Sequence, residues 1–142
     1  MNDMYQSQAL AKAVHTVLHD DIMVQSLLGN QPRLYDHPPE DPVYPYLSYG
    51  PMRSDNISAD DCAAYRHVFT LHVWSRYGGR AEIMSLISAI SQALEGGGLT
   101  LNTAHLVSMN VIFSDHFRAP DGRTLHGLIR VSAVTQPLTE TV

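Results

Sequence analysis

Apolar residues recur at helical spacing near the start of the chain. In the segment QALAKAVHTVLHDD, four of them form a single stripe: Leu10, Val14, Val17 and Leu18. That spacing predicts an amphipathic helix over about residues 4–19. A second, short helix is expected to begin at a cap supplied by Asp20 or Asp21 and to run through Leu28. Gly29 ends it, because glycine accepts the left-handed conformation that closes a helix.

Prolines interrupt the pattern after the second helix. Leu34-Tyr35 is predicted to form a short strand, and regular structure is then prevented by Pro38, Pro39 and Pro42. The alternating, aromatic-rich stretch YPYLSYG predicts a strand that tolerates Pro45 at its start, where the missing N–H costs little. The polar, acidic run that follows predicts an exposed, mobile loop over residues 51–64.

The stretch YRHVFTLHVWSR has the alternation of a β-strand. One face is predicted to carry Tyr65, His67, Phe69, Leu71 and Val73, and the other Val68, Thr70, His72 and Trp74. The chain then turns at Gly78-Gly79 and enters a helix from about Arg80 to Glu95. The helix is expected to end at the triple glycine 96–98. Its buried positions are predicted to be Ile83, Leu86, Ile87, Ile90 and Leu94.

The last third of the chain predicts a long β-hairpin. Its strands HLVSMNVIFSDHFR and RTLHGLIRVSAVT flank APDG, which suits a type I turn followed by a bulge glycine. This closure pairs Ala119 with Arg123. The same register predicts apolar pairs on one face: Phe117–Leu125, Phe113–Ile129, Val111–Val131 and Met109–Ala133. On the other face it predicts Ile112–Arg130, Asn110–Ser132 and Ser108–Val134.

Taken together, these elements predict an α+β fold. The order of helix, strands, helix and hairpin favours an antiparallel β-sheet with two main helices packed on one face and a long C-terminal β-hairpin. A chain of 142 residues is expected to form one domain, residues 1–142, with an exposed loop at about 51–64. The hydrophobic share of 44% and the charged share of 16% are typical of a globular protein.

Net charge and the distribution of apolar residues indicate which kinds of partner and location to expect. The formal net charge is −5, with eight arginines and one lysine, so the basic face of a duplex-DNA-binding protein is not evident. The first residues lack a basic segment followed by an apolar run, and we expect no secretory signal. No apolar stretch reaches membrane-spanning length, so no membrane partner is expected.

Histidines are the first candidates for chemistry. His67 and His72 are predicted to face opposite sides of their strand and cannot share a metal. The hairpin register places His116 opposite His126, which is either an ordinary cross-strand pair or the beginning of a zinc site that still needs a third ligand. In a shared interface, this pair would make assembly sensitive to pH. Asp115 is expected on the other face of its strand.

Other reactive patterns are weak. The single cysteine, Cys62, cannot form an internal disulfide, and no nucleophile elbow, Walker loop or dinucleotide fingerprint is present. Trp74 either anchors a neighbouring protein or packs beneath the helix at 80–95. We therefore expect no catalytic residue, no cofactor and no metal. Four arginines are candidates for contacts with acidic partners or are simply solvated: Arg76, Arg80, Arg118 and Arg123.

Several stretches resemble a known family. ALAKAVHTVLHDDIMVQSLLG, YPYLSYG, HVFTLHVWSRYGGRAEIMSLISAISQALEG and APDGRTLHGLIRVSAVT are similar to the tail-terminator (tail-completion) proteins of long-tailed phages. The resemblance is greatest to the version encoded by gene transfer agents, and it covers nearly the whole chain. Its most specific parts are HVWSR running into GGRAE, and DGRTLHG.

The resemblance implies a structural role and no enzymatic activity. Such proteins form a sixfold ring on the head-proximal end of the tail tube, end tube polymerisation and join the tail to the head connector. The implied partners are further copies of the chain, the tail tube protein and a connector or stopper protein. DNA passes through the ring without specific binding. Assembly would take place in the bacterial cytoplasm, and the protein would become part of the tail or neck of a phage-like particle.

Interface residues are proposed on this basis. Lateral contacts are expected from the sheet edges and the hairpin at 105–135, while the loop 51–64 reaches the tube or a neighbouring subunit together with Arg76 and Arg80. The candidate interface residues are Asp55, Asp60, Asp61, Arg76, Arg80, Arg118 and Arg123. Two alternatives remain at this point: a minor tail-tube or head–tail connector subunit, and a small metal-dependent enzyme that uses His116 and His126.

Overall fold

The structure is a computed structural model that describes residues 3–96 and 99–138, with side chains from Gln6 onward. Within that part of the chain, three helices accompany a five-stranded sheet. The helices are α1 (Asp3–Asp20), α2 (Ile22–Leu28) and α3 (Ala81–Glu95). The strands are β1 (Leu34–Tyr35), β2 (Tyr46–Asn56), β3 (Tyr65–Ser75), β4 (Ala104–Arg118) and β5 (Leu125–Pro137).

The helix predictions are confirmed. Asp21 caps α2, because its side chain accepts a hydrogen bond from the Val24 N–H at 3.0 Å. Gly29 follows α2 with φ of +101°, a conformation that side chains rarely adopt. The predicted glycine stop after α3 begins at Gly96, and the remaining two glycines lie outside the described residues.

The strands are arranged in the order β1-β2-β3-β5-β4. Every neighbouring pair is antiparallel except β1 and β2, which are parallel. The predicted α+β class is therefore confirmed, with the small addition of one parallel pair at an edge.

One face of the sheet packs against the helices. Alternate residues of β3 and β5 are buried on this face, including Leu71, Val73, Ile129 and Val131. The helices contribute Leu10, Val14, Leu18, Ile83, Leu86, Ile90 and Leu94 to the same core. The predicted buried face of α3 is confirmed apart from Ile87, which is partly buried. The sheet thus has a helix-covered face and a helix-free face.

The prediction of a loop over 51–64 is wrong for its first six residues. β2 continues through Pro51 to Asn56 and pairs with β3 as far as Tyr65. A bulge between Tyr49 and Met52 accommodates the proline, which lacks the N–H that a regular ladder needs. Only residues 57–64 connect the two strands, and they form their own hydrogen-bonded turn around Ala59 and Cys62.

The hairpin exists as predicted, but half of its register is wrong. The predicted pairs Ser108–Val134, Met109–Ala133, Asn110–Ser132 and Val111–Val131 are confirmed. Nearer the turn, the structure pairs Phe113 with Arg130, Phe117 with His126 and Arg118 with Leu125. The predicted pairs Phe117–Leu125, Phe113–Ile129 and Ile112–Arg130 are therefore wrong.

The cause is one extra residue at each end of the shifted segment. At the turn, Ala119 pairs with Thr124 rather than with Arg123, because the Asp121 side chain accepts hydrogen bonds from both N–H groups that follow Gly122. At the other end, a bulge between Val111 and Phe113 restores the original register. A one-residue shift moves each side chain to the opposite face.

Candidate functional site

A row of aromatic rings crosses four strands on the helix-free face. The indole of Trp74 stacks on the His126 ring with centroids 3.8 Å apart, and it lies 6.1 Å from the ring of Tyr46. Phe117 continues the row, with its centroid 4.9 Å from that of His126. The register explains the row, since these four residues are direct neighbours across β2, β3, β5 and β4. We call Tyr46, Trp74, His126 and Phe117 the aromatic row.

Trp74 faces away from α3. Its indole N–H donates to the Ser48 hydroxyl at 3.0 Å, and its ring contacts are with Tyr46, His72 and His126. The adjacent Val73 instead lies on the helix-covered face, together with Ile83 of α3. Packing of the indole beneath α3, one of the two alternatives, is therefore wrong. The aromatic row offers partly exposed ring surface of the kind that anchors protein interfaces.

A histidine pair adjoins the aromatic row. Nδ1 of His72 lies 2.8 Å from Nε2 of His126, so one ring donates a hydrogen bond and the other accepts it. Burial lowers the pKa of both imidazoles, and the pKa of His126 is lowered further by the charge of His72. The pair is therefore neutral at neutral pH. Sequence reasoning missed this pair, because the two residues are 54 positions apart and meet only through the register of β3 and β5.

The predicted pairing of His116 with His126 is wrong. His116 lies opposite Gly127, while Phe117 takes the position opposite His126. In the part of the chain that the structure describes, no group of three His, Cys, Asp or Glu residues is placed to hold a metal ion. The geometric basis of the metal-dependent alternative is therefore removed.

His67 has a structural environment. Its ring is fully buried between the Ser54 hydroxyl, 2.7 Å from Nδ1, and the Thr135 hydroxyl, 2.8 Å from Nε2. The Thr135 hydroxyl in turn donates to the buried Gln6 carboxamide oxygen at 2.5 Å. Because the Thr135 hydroxyl donates its hydrogen to Gln6, its oxygen must accept a hydrogen bond from Nε2–H of His67. This sets the tautomer of the ring. The predicted separation of His67 and His72 onto opposite faces is confirmed.

The four predicted interface arginines lie at one end of the sheet, around the turn between β4 and β5 and the corner between β3 and α3. Arg76 is engaged within the chain: its Nε donates to the Thr124 hydroxyl at 3.0 Å, and its guanidinium lies 4.3 Å from the centre of the Tyr44 ring. Arg118 donates to the Gly122 carbonyl at 3.2 Å. Arg80 and Arg123 are exposed. We call this region the arginine end.

The predicted acidic residues lie at the opposite end of the sheet. Asp55 is near the end of β2 and accepts hydrogen bonds from Arg53 at 3.0 to 3.3 Å. Asp60 and Asp61 are exposed in the turn between β2 and β3. The structure therefore separates the 51–64 segment from Arg76 and Arg80, which the sequence-based hypothesis had combined into one contact surface. We call the region of Asp55, Asp60 and Asp61 the aspartate end.

A groove of about 540 Å³ lies between α1 and β2. Its wall is mostly apolar and includes Ala11, Val14, Met52, Phe69 and Leu71. The polar contact at its rim joins Nδ1 of His15 and the Tyr49 hydroxyl, which are 2.8 Å apart, and burial raises the pKa of that phenol. Sequence reasoning missed this groove, since it depends on how α1 docks on a distant strand. Polar residues also line it, among them Lys12, Asp36 and Ser54.

None of the helices in the described part of the chain combines the length and apolar character that crossing a membrane requires.

A comparison with curated protein sequences gives no significant match. A solved structure titled "Virion of native gene transfer agent (GTA) particle" contains a similar chain, with a TM-score of 0.81 and 26% sequence identity. The match covers 92% of this chain and 96% of that chain.

The family comparison covers most of the chain. Residues 7–136 match the family model described as tail completion protein gp17, and this span includes every strand except the last residue of β5. The expected resemblance to tail-completion proteins of the gene transfer agent type is confirmed. The chain belongs to the tail completion protein gp17 family and is a structural component of a phage-type tail.

Proposed function

We propose that this protein forms a ring on the head-proximal end of the tail tube, ends tube polymerisation and joins the tail to the head connector. The observation that carries the proposal is the match, over 92% of the chain, to a chain of an assembled gene transfer agent virion. The partners are then further copies of the chain, the tail tube protein and a connector or stopper protein. A sixfold ring, assembled in the bacterial cytoplasm, is the expected form.

The surfaces support a role in assembly. A closed ring needs two different patches on each subunit, because its contacts are head-to-tail. This chain presents an arginine end and an aspartate end at opposite ends of one sheet, and the aromatic row lies beside the arginine end. With a net charge of −5, the protein repels the DNA backbone, which suits passage of DNA without specific binding.

The arrangement of reactive groups supports a non-enzymatic role. Among the described residues, the buried polar contacts of His67, Thr135 and Gln6 are made within the chain. The histidine pair hydrogen-bonds to itself, and the groove beside α1 is mostly apolar. The His67 ring, which contacts the Ser54 hydroxyl, is fully buried, and this burial argues against its use as a base towards a bound substrate.

The test is electron microscopy of particles from a strain that lacks the gene. A terminator is needed to stop the tube, so we expect overlong tails, many of them without heads. Complementation with the wild-type gene should restore tails of normal length. Tails of normal length that lack only the head would contradict a terminator and favour a connector subunit. Normal, DNA-filled particles would contradict both roles.

A further inference from the structure

The two edges of the sheet differ from each other, and part of each edge is open. β4 forms one edge, and β1 forms the other but covers only Leu47 and Ser48 of β2. In the described part of the chain, no strand pairs with the outer side of β2 from Met52 to Asn56. Such an edge presents backbone N–H and C=O groups to another strand.

The open part of β4 begins after Val111. The carboxylate of Glu95 accepts a hydrogen bond from the Val111 N–H at 2.9 Å and thereby occupies the edge at that point. Beyond it, the strand exposes large apolar side chains: Ile112 is 55% exposed, Phe113 46% and Phe117 42%. Native proteins usually protect a long apolar edge strand, so this edge is built to be covered.

Strand directions determine how two copies can join. Each of the pairs β2–β3, β3–β5 and β5–β4 is antiparallel, so β2 and β4 run in opposite directions. Copies related by rotation about an axis roughly along the strands therefore bring β4 of one copy beside β2 of the next in antiparallel order. Met52 and Ser54 of the open segment line the groove between α1 and β2.

We propose that residues 112–116 of one copy add as an antiparallel strand to Met52–Asn56 of a second copy, with Arg53 opposite Asp115. The proposal names the lateral contact of the ring proposed above and rests on it. Phe113 and Phe117 would then extend the helix-free face of one copy onto the next.

Several registers keep the helix-free faces of the two copies on the same side, and the charged residues favour this one. Arg53 and Asp55 lie on the helix-free face of β2, and Asp115 lies on the same face of β4. Placing Arg53 opposite Asp115 makes an opposite-charge pair, whereas a shift of two residues places Asp55 opposite Asp115, which is repulsive. The two open segments are also displaced from each other along the strand direction. Met52 and Val111 lie on one line across the strands, so Met52–Asn56 and the part of β4 beyond Val111 extend in opposite directions from that line. Joining them staggers the strands, as the closure of a sheet into a barrel requires.

The test is a cysteine cross-link in assembled particles. In a Cys62→Ser background, Arg53→Cys and Asp115→Cys are combined, and oxidised particles are run on a non-reducing gel. We expect a ladder from dimer up to the full ring, whereas each single variant stays monomeric. The control pair, Arg53→Cys with Ser88→Cys on the exposed side of α3, should stay monomeric. Particles that contain the chain but give no ladder with the first pair would overturn the proposal.

A charge exchange tests the same contact without cysteines. Arg53→Asp or Asp115→Arg alone should lower the amount of chain in particles about tenfold, and the double exchange should restore it. Unfolding midpoints equal to that of the wild type show that the fold is intact. Single reversals that incorporate normally would overturn the contact. The two proposals can fail separately. If the cross-linked ring forms, but a strain that lacks the gene makes tails of normal length, the terminator role is contradicted and the contact between copies stands.

Discussion

The imidazole of His72 lies 2.8 Å from that of His126, and the indole of Trp74 stacks on the same His126 ring. Burial holds the pKa of both histidines below the ordinary value of 6.5. The pair therefore resists protonation in the folded protein and is uncharged at neutral pH.

This pair predicts a loss of stability on acidification. The folded state binds fewer protons than the unfolded state, so the stability from the neutral pair is present above the ordinary pKa of 6.5 and is lost as the pH falls below it. Urea midpoints measured from about pH 7.5 to about pH 5.5 should fall less steeply in His126→Phe than in the wild type. His105→Gln, an exposed histidine on β4, is the control and should keep the wild-type slope. Equal slopes for the wild type and His126→Phe would contradict the role of the pair.

Gly127 is predicted to be intolerant of a side chain. A Cβ at this position would lie 2.6 Å from Cγ2 of Val73 and 3.3 Å from Ile83 of α3. Gly127→Ala should therefore lower the free energy of unfolding by about 1–3 kcal/mol through overpacking. Gly78→Ala is the matched control, because a Cβ there meets nothing within 4 Å. Chemical denaturation of both variants checks the prediction, and equal stabilities would show that the sheet shifts to accept the methyl group.

Asp121 is predicted to hold the turn of the hairpin. Its carboxylate accepts a hydrogen bond from the Thr124 hydroxyl at 2.6 Å and from the backbone N–H groups of Arg123 and Thr124, which lowers its pKa to about 2. Asp121→Ala should lower the thermal midpoint more than Asp121→Asn, which keeps one acceptor oxygen.

The pH dependence of this contact has a defined window. The stability that Asp121 contributes is present above its ordinary pKa of 3.8 and is lost as the pH falls towards 2. Midpoints of the alanine variant and the wild type should therefore converge in that range. A constant difference down to the lowest pH would show that the carboxylate charge is not involved.

Two arginines at the arginine end are predicted to behave differently. Arg76 contacts Thr124 and the Tyr44 ring, so Arg76→Ala should cost about 1–2 kcal/mol of unfolding free energy. Arg80 is exposed, and Arg80→Ala should leave stability within about 0.5 kcal/mol of the wild type. If the arginine end binds a partner, Arg80→Ala should lower incorporation into particles without lowering stability. Normal incorporation of this variant would remove Arg80 from the interface.

Local patterns were sufficient where the determining contacts are close in sequence. The stripe of α1, the Asp21 cap and the alternation of β3 could all be predicted, because each depends on residues a few positions apart. The candidate interface residues were predicted as a set, but their division between two ends of the sheet was not. Whether they bind partners remains a prediction.

The errors have a common origin in irregular backbone. The polar, acidic run over 51–64 suggested a loop, yet β2 continues through a bulge at Pro51 because β3 supplies the pairing partners. The turn at Asp121 and the bulge after Val111 each add one residue, and between them every side chain of β4 changes face.

By itself, the sequence determined the helices, β3 and the existence of the hairpin, because apolar spacing and turn chemistry act over short distances. The family followed from the resemblance of whole stretches of sequence. Only the tertiary structure decided which side chains meet. The His72–His126 pair, the aromatic row and the separation of arginine and aspartate ends depend on which strands are neighbours and in what register. Register at a bulge is set by packing and hydrogen bonds across the whole sheet, which no local pattern encodes.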